Sequence, residues 1–317
     1  MTNPEFSIVI PFHNAGETIG ATLKSILAQS VENVEVIIVD DRSGEIDRFC
    51  IDAMARMEPR VRVVASPRPG PSAARNTGAS HAGGDILYFL DADDTLEPGA
   101  LESIRKAFGG SPRAGVVFGR VRITDAPEKK GGVVSRYVRR PEVWNLIGEN
   151  VVCTGSNIAV RRAAFNAIGD FEERLRRAED QEWLVRAWAN RDWELRSLDR
   201  VTLAYRTSPD GLSSNLEKME IGWLQMIAVL RGSGMELRPA DMARAKGLFY
   251  RYLARRALRL SDGKAHCIRY ALVSLRACPS LFVRDPIRSW GALLGAVAVR
   301  LWSFNPLKSQ SIQGANS

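Results

Sequence analysis

Asp85-Ile86-Leu87-Tyr88-Phe89-Leu90-Asp91-Ala92-Asp93-Asp94 is the stretch from which the rest of the chain can be read. Ile86 to Leu90 is an unbroken apolar run, the length of a strand buried on both faces. Where that strand leaves the core, Asp91, Asp93 and Asp94 set three carboxylates within four residues. Like charges this close repel, and one is driven toward protonation unless a cation or hydrogen-bond donors meet it. A hard divalent cation that shares oxygen ligands with a phosphate group would do so. The plain alternative is an acidic loop capping a helix that opens near Pro98. An isolated Asp-x-Asp favours that alternative, so the strands around it decide.

Upstream, Phe6-Ser7-Ile8-Val9-Ile10-Pro11 reads as a first strand stopped by proline, and Ile19, Leu23, Ile26 and Leu27 then recur at helical spacing. A second buried strand over 34–39 ends in Asp40-Asp41-Arg42-Ser43. Ile46, Phe49, Cys50, Ala53, Met54 and Met57 mark the core face expected of the next helix. A third strand covers 61–65, and Pro67-Arg68-Pro69-Gly70-Pro71 is a rigid turn into Ser72-Ala73-Ala74-Arg75-Asn76. Beyond Asp94 come a helix over about 98–108 and a strand at 115–118. This alternation predicts an α/β fold, with a mostly parallel sheet and helices on both faces. Ligands of such sheets bind at the carboxyl ends of the strands. His13 and Asn14, Asp40 and Asp41, and Asp91 and Asp93 all fall at those ends. A dinucleotide fold of the Gly-x-Gly-x-x-Gly type is excluded after the first strand, as is a Walker-type loop.

The second half is less regular. A surface loop is expected at 125–132, and Val151-Val152-Cys153-Thr154-Gly155-Ser156-Asn157 leads into a strand at 158–160 and a short helix at 163–168. Glu179, Asp180 and Glu182 lie in the first turn of a helix, where acidic residues often only complement the dipole. Two strands are expected at 193–198 and 201–206, and helices from about residue 216 onward.

The chain has 317 residues, 45% apolar and 25% charged, which fits an ordinary globular protein. Its four cysteines have no paired spacing and read as small core hydrophobes, and its three histidines are scattered. The net charge is +8, but residues 241–308 hold thirteen Lys or Arg against three Asp, a local excess of +10 that leaves −2 for the remainder. Residues 1–14 show no basic leader, and the longest uncharged apolar run near the C-terminus, 289–299, is too short to span a bilayer. A cytoplasmic location is expected.

Four blocks fall in one order: Ser7-Ile-Val-Ile-Pro-Phe-His-Asn14, Val36-Ile-Ile-Val-Asp-Asp-Arg-Ser43, Gly70-Pro-Ser-Ala-Ala-Arg-Asn-Thr-Gly78 with Phe89-Leu-Asp-Ala-Asp-Asp94, and Thr154-Gly-Ser-Asn157 followed by Glu179-Asp180. The ordered set resembles the family 2 glycosyltransferases over roughly residues 5–207. The resemblance implies a GT-A fold and an inverting transfer from a nucleotide-diphospho sugar, a UDP-sugar in the simplest case, with Mn2+ or Mg2+ as cofactor. Carried over, Pro11, Phe12, Asn14 and Glu17 would line the nucleotide pocket. Asp41 would accept from the base, supported by Asp40, and Arg75 would lie beside the nucleotide or diphosphate, although a paired structural arginine would look the same. Asp91 would touch the ribose, with Ala92 beside it in the nucleotide-sugar site, and Asp93 would hold the metal. Asp180 would be the general base, with Gly155, Ser156, Asn157 and Glu179 in the acceptor or donor pocket. Arg42 departs from the family, which usually has glycine there, and a small change in turn geometry is expected.

The implied organisation is a catalytic domain over 1–215, with a nucleotide half at about 5–118 and an acceptor half at 119–215. A basic helical extension over 216–305 and a flexible tail at 306–317 would follow. The acceptor would be a glycan or a polyprenyl-linked saccharide of cell-surface polysaccharide synthesis. A catalytically inactive sugar-nucleotide-binding or scaffold protein of the same fold is the alternative, opposed by the intact Asp93 and Asp180. A pyrophosphorylase would need a Gly-rich basic loop after the first strand. Nucleic acid is not expected as a partner, because the basic residues form no recognisable binding motif. In the extension, Tyr250, Leu253, Ala257 and Leu260 with Arg251, Arg255, Arg256 and Arg259, and then Trp290, Leu293, Leu294, Val297, Leu301 and Trp302, form stripes suited to an anionic membrane surface. Peripheral attachment to the inner face of the cytoplasmic membrane is therefore expected.

Overall fold

A computed structural model describes residues 3–127, 129–207, 215–260 and 266–303, with side chains described as far as 299. The expected strands and helices of the first third are present in order: β1 (Phe6–Phe12), α1 (Gly16–Leu27), β2 (Val34–Asp40), α2 (Glu45–Met57), β3 (Val61–Ala65), α3 (Pro71–His81) and β4 (Ile86–Phe89). The four strands pair in parallel, in the order β3-β2-β1-β4. Side chains on a strand alternate between faces. Val9, Ile37, Val39, Leu87 and Phe89 accordingly enter one buried cluster, whereas Ile8, Ile10, Val36, Ile38, Tyr88 and Leu90 enter another. Both faces are covered, which is why β1, β2 and β4 read as largely apolar runs, interrupted at Ser7 and Glu35, whose side chains hydrogen-bond to each other.

The sheet then becomes mixed. After β5 (Thr95–Leu96) and α4 (Ala100–Gly109) come β6 (Ala114–Thr124), β7 (Val133–Val134), α5 (Val143–Glu149), β8 (Ile158–Arg161), α6 (Arg162–Ile168), α7 (Glu179–Ala189) and β9 (Glu194–Arg206). β8 inserts antiparallel between β4 and β6, and β9 runs parallel to β6. The strand expected at 115–118 is much longer, and the pair expected at 193–198 and 201–206 is one strand whose pairing with β6 shifts register.

Four helices and a short turn of helix complete the described chain: α8 (Leu216–Gly232), α9 (Pro239–Ala257), α10 (Cys267–Ala277), α11 (Leu281–Arg284) and α12 (Pro286–Ser303). They do not stand apart. Leu216, Trp223, Phe249, Leu253, Tyr270 and Ala296 belong to the same apolar cluster as Val9, Phe89 and Trp183.

Two readings of apolar faces are corrected: that of α2, and that of the stripe expected to face a membrane on α9, where Tyr250, Leu253 and Ala257 are buried in the core. On α2 only Ile51 is fully buried, while Ile46, Phe49 and Met57 are 85%, 70% and 86% exposed. On α12 the buried side is the small one, Ser289, Ala292 and Ala296, and Ile287, Trp290 and Leu294 face outward. Leu301 and Trp302 lie outside the described side chains, and residues 306–317 outside the described residues. Of the cysteines, Cys267 and Cys278 are buried and Cys50 half-buried, but Cys153 is exposed.

Candidate active site

The carboxyl ends of β1, β2 and β4 form one edge, and the loops there are tied together by side chains. Asn14, in the left-handed region at φ 50°, accepts the Gly44 N–H at its Oδ1 (2.9 Å) and donates its own N–H to Ser43 Oγ (3.1 Å). Asp40 is buried, accepts the Ser43 N–H (3.0 Å) and pairs with Arg48 (3.3 Å). Arg42 also has a positive φ, 61°, a conformation glycine adopts freely and arginine only at a cost. Asp41 Oδ2 accepts the Gly70 N–H (2.7 Å) at the start of α3, and its Oδ1 is buried without a partner. This carboxylate therefore retains acceptor capacity. Phe12 is buried, Pro11 half-buried and Glu17 exposed at this edge.

Arg75 is the hub. It is 3% exposed, and its fork reaches Asp91 Oδ1 at 2.8 Å and Glu179 Oε1 at 2.9 Å. One guanidinium thus joins the segment after β4 to the first turn of α7, whose Glu179 is 104 residues from Arg75. It packs over the Phe171 ring, 5.7 Å from its centroid. Gly155 lies against it so closely that a Cβ there would come within 3.0 Å of Nη2. The Asp91 N–H donates to Ser156 Oγ (3.0 Å), while Ala92 is buried, its carbonyl accepting from Thr22 Oγ1 (2.9 Å). Asn157 is buried and spends its amide on Gly119, Val152 and Thr202, so it fastens β6 and β9 to this edge.

Asp93 and Asp94 part company. Asp94 is fully buried, accepts the Arg206 N–H (2.8 Å), and burial together with the charges of Asp93 and Asp91 holds its carboxyl well above the usual range. Asp93 is half-buried, and burial, then the charge of Asp91, push it up to about 6 against the opposing pull of Arg206. Asp180, next to Glu179, is likewise pushed up to about 6, by burial first and by Glu179 second, while Arg75, the Gln181 N–H and Asn150 pull it down. A carboxylate poised there is suited to accept a proton near neutral pH. Among the described residues no group of three or more His, Cys, Asp or Glu converges as a protein-only metal cage. Asp93 with Asp91 beside it fits a hard cation that takes its other ligands from a diphosphate and water.

Residues 7–169 match the model of the family described as Glycosyl transferase family 2. The chain belongs to that family. Among curated relatives, a probable glycosyltransferase YdaM of Bacillus subtilis is 26% identical over 200 residues, which is 58% of this chain and 47% of that protein. The succinoglycan biosynthesis protein ExoO of Rhizobium meliloti is 38% identical over 99 residues, 31% of this chain and 28% of that protein. The matches thus span half or less of these relatives' length. Among solved structures, S. aureus TarS 1–349 in complex with UDP-GlcNAc aligns over 93% of this chain and 81% of its own, at 17% identity and TM-score 0.55. The mannosyltransferase PcManGT of Pyrobaculum calidifontis, in complex with GDP-Man and Mn2+, aligns over 96% and 89%, at 17% identity and TM-score 0.54. The fold is GT-A.

Within this family member, sequence reasoning passed over three residues at the same edge: Asp94 as a buried anchor, Arg206 at the end of β9, and Asn150, whose Nδ2 donates to Asp180 Oδ2 at 2.8 Å. A basic residue at a strand end and an amide at a helix end are too common for either to stand out in one sequence.

Proposed function

We propose that the protein is an inverting glycosyltransferase that moves a sugar from a nucleotide-diphospho sugar, a UDP-sugar, to a hydroxyl of a glycan or lipid-linked saccharide in cell-surface polysaccharide synthesis. The observation that supports this reading is the Asp91–Arg75–Glu179 bridge, which ties the start of α7, where Asp180 lies, to the segment after β4 that carries Asp91 and Asp93. Asp41 has an acceptor oxygen to spare for a donor on the base, and Pro11, Phe12, Asn14, Glu17 and Asp40 form the surrounding edge. Asp180 takes the proton of the acceptor hydroxyl. That oxygen then bonds the anomeric carbon as the bond from carbon to the diphosphate oxygen breaks, and the nucleoside diphosphate departs with the electron pair. Asp93 would hold a divalent cation, Mn2+ or Mg2+, which supplies charge neutralisation to the diphosphate when bound. The catalytic unit is assigned to 1–215 and the basic helical extension to 216–305.

Among the described residues no helix is long and apolar enough to cross a membrane. Val283, Ile287, Trp290 and Leu294 nevertheless form an exposed apolar row on α11 and α12, with Arg284 and Arg288 beside it. We assign this row to peripheral contact with an anionic membrane that carries the acceptor.

A thermal-shift screen of nucleoside diphosphates and sugar nucleotides with Mn2+ tests the donor reading, followed by transfer of the radiolabelled sugar. One UDP-sugar should raise the melting temperature and be hydrolysed or transferred. Failure of every nucleoside diphosphate to stabilise the protein would overturn it.

A further inference from the structure

α5 is a seven-residue helix, and the last carbonyls of any helix need partners from elsewhere. Here α7 and α8 supply them. Gln181 Nε2 donates to Leu146 O (2.8 Å), and Trp223 Nε1 donates to Ile147 O (2.7 Å). Gly148 lies flat on α9, where a Cβ would come within 2.8 Å of both Ala245 O and Leu248 Cβ. The next residue, Glu149, accepts from Arg251 Nη2 (2.6 Å) and Nε (3.2 Å). Arg251 is 2% exposed and also reaches Asp285 Oδ2 (3.0 Å) and Ser289 Oγ (3.1 Å). Although it belongs to the basic stripe expected on a membrane, it is a buried clamp between α9, α12 and the end of α5.

The clamp ends at Asn150, which caps α5 in the left-handed region at φ 40°. Its Nδ2 donates to Asp180 Oδ2, and Asp180 Oδ1 accepts the Gln181 N–H (2.8 Å). Both oxygens of Asp180 are therefore held, one by its own helix and one by the cap of α5. We propose that Asn150 is a positioning residue that fixes the orientation of Asp180 and favours its charged form, and that Arg251 of the C-terminal helices sets where Asn150 stands. The extension is then part of the catalytic apparatus even though none of its residues needs to touch the substrate. The catalytic consequence rests on the reading of Asp180 as base; the effect on its protonation does not.

The groups that face Asp180 are Glu179 and Arg75, the Asn150 amide, the Gln181 N–H and the thiol of Cys153, which also feels Glu149. Asn150→Gly removes the donor and keeps a residue at ease with positive φ. A hydrogen bond to a charged group is strong enough that its loss should raise the Asp180 midpoint by about one to two pH units. The sign follows because the lost partner stabilised the anion, and Asn150→Asp, which sets a second carboxyl there, should raise it further.

The experiment is a carbon-detected NMR titration of the side-chain carboxyls in the full chain, with Asp180 identified by its missing signal in Asp180→Asn, alongside pH profiles of kcat and donor KM. The midpoint and the acid limb of kcat should rise together in Asn150→Gly, with donor KM unchanged. A midpoint that does not move overturns the positioning role. A midpoint that moves without the acid limb upholds it and removes Asp180 as the base. Arg251→Lys, which cannot span Glu149, Asp285 and Ser289 at once, should move the midpoint in the same direction. Should it fail to fold, Glu149→Gln tests the same clamp, and an unmoved midpoint in the folded variant refutes the part assigned to Arg251.

Discussion

Replacing Arg75 with methionine removes the cation that bridges Asp91 and Glu179 while keeping much of the side chain's bulk. Both pairs are short, and the arginine side chain is 4% exposed, against 32% for Asp91 and 12% for Glu179. Removing one partner of a buried pair costs about 3–5 kcal/mol, because the charge left behind is unsolvated. Asp91 can recover some hydration, which places the expected loss near the lower end, about 3 kcal/mol. Urea unfolding would read this as a lower midpoint at unchanged slope. Arg75→Lys keeps the charge but cannot fork across two carboxylates, so it should recover only part of the loss. Arg75 also pulls the Asp180 carboxyl down, so in Arg75→Met the acid limb of activity should move above about pH 6. A stability loss below about 1 kcal/mol, the range of exposed pairs, would refute the view of Arg75 as the joint between the two halves of the site.

Asp180→Asn keeps the shape and removes the base, so kcat should fall about 10²–10⁴-fold with donor binding little changed; equal loss of donor binding in calorimetry would make the residue structural. In the unaltered protein, activity should decline as pH falls through about 6, where Asp180 takes up its proton, and a profile flat down to pH 5 would count against the assignment. Asp93→Ala should abolish transfer and remove the dependence of nucleotide binding on Mn2+, whereas near-normal activity with Mn2+ would disprove the metal role. Serine at Ile287, Trp290 and Leu294 together should abolish salt-sensitive co-sedimentation with anionic liposomes and leave the fold intact, and undiminished binding would place the contact elsewhere. This triple variant is a better probe than truncation after Leu237, which would also remove Arg251 and unseat α5.

The parallel strands were legible because burial on both faces leaves little polar alternation to confuse: Phe6 to Pro11 and Val34 to Val39 are apolar but for Ser7 and Glu35, and Ile86 to Leu90 is apolar throughout. Their order in the sequence also sets Asp41 and Asp91 at one edge, since strand ends in such sheets converge. Asp180 was different. A carboxylate in a first helical turn has an everyday explanation, and only the resemblance to a family raised it above the others.

Tertiary structure decided what depends on which surfaces meet. Ile46, Phe49 and Met57 have a helical period, but the period does not say whether that face or the one through Ile51 lies on the sheet. On α12 close approach to its neighbours buries Ser289, Ala292 and Ala296, while Ile287, Trp290 and Leu294 stay exposed, a division that the periodicity of the helix does not give. Nor does charge reveal that Arg251 is buried while Arg259 is exposed, because both follow the same helical pattern. Asn150 and Asp180 are 30 residues apart and meet at the end of α5, where Gly148 packs closely on α9. Periodicity and local charge are properties of the chain and can be read along it. The partner of a cap or of a buried charge belongs to the packing of separate elements, and no local pattern encodes it.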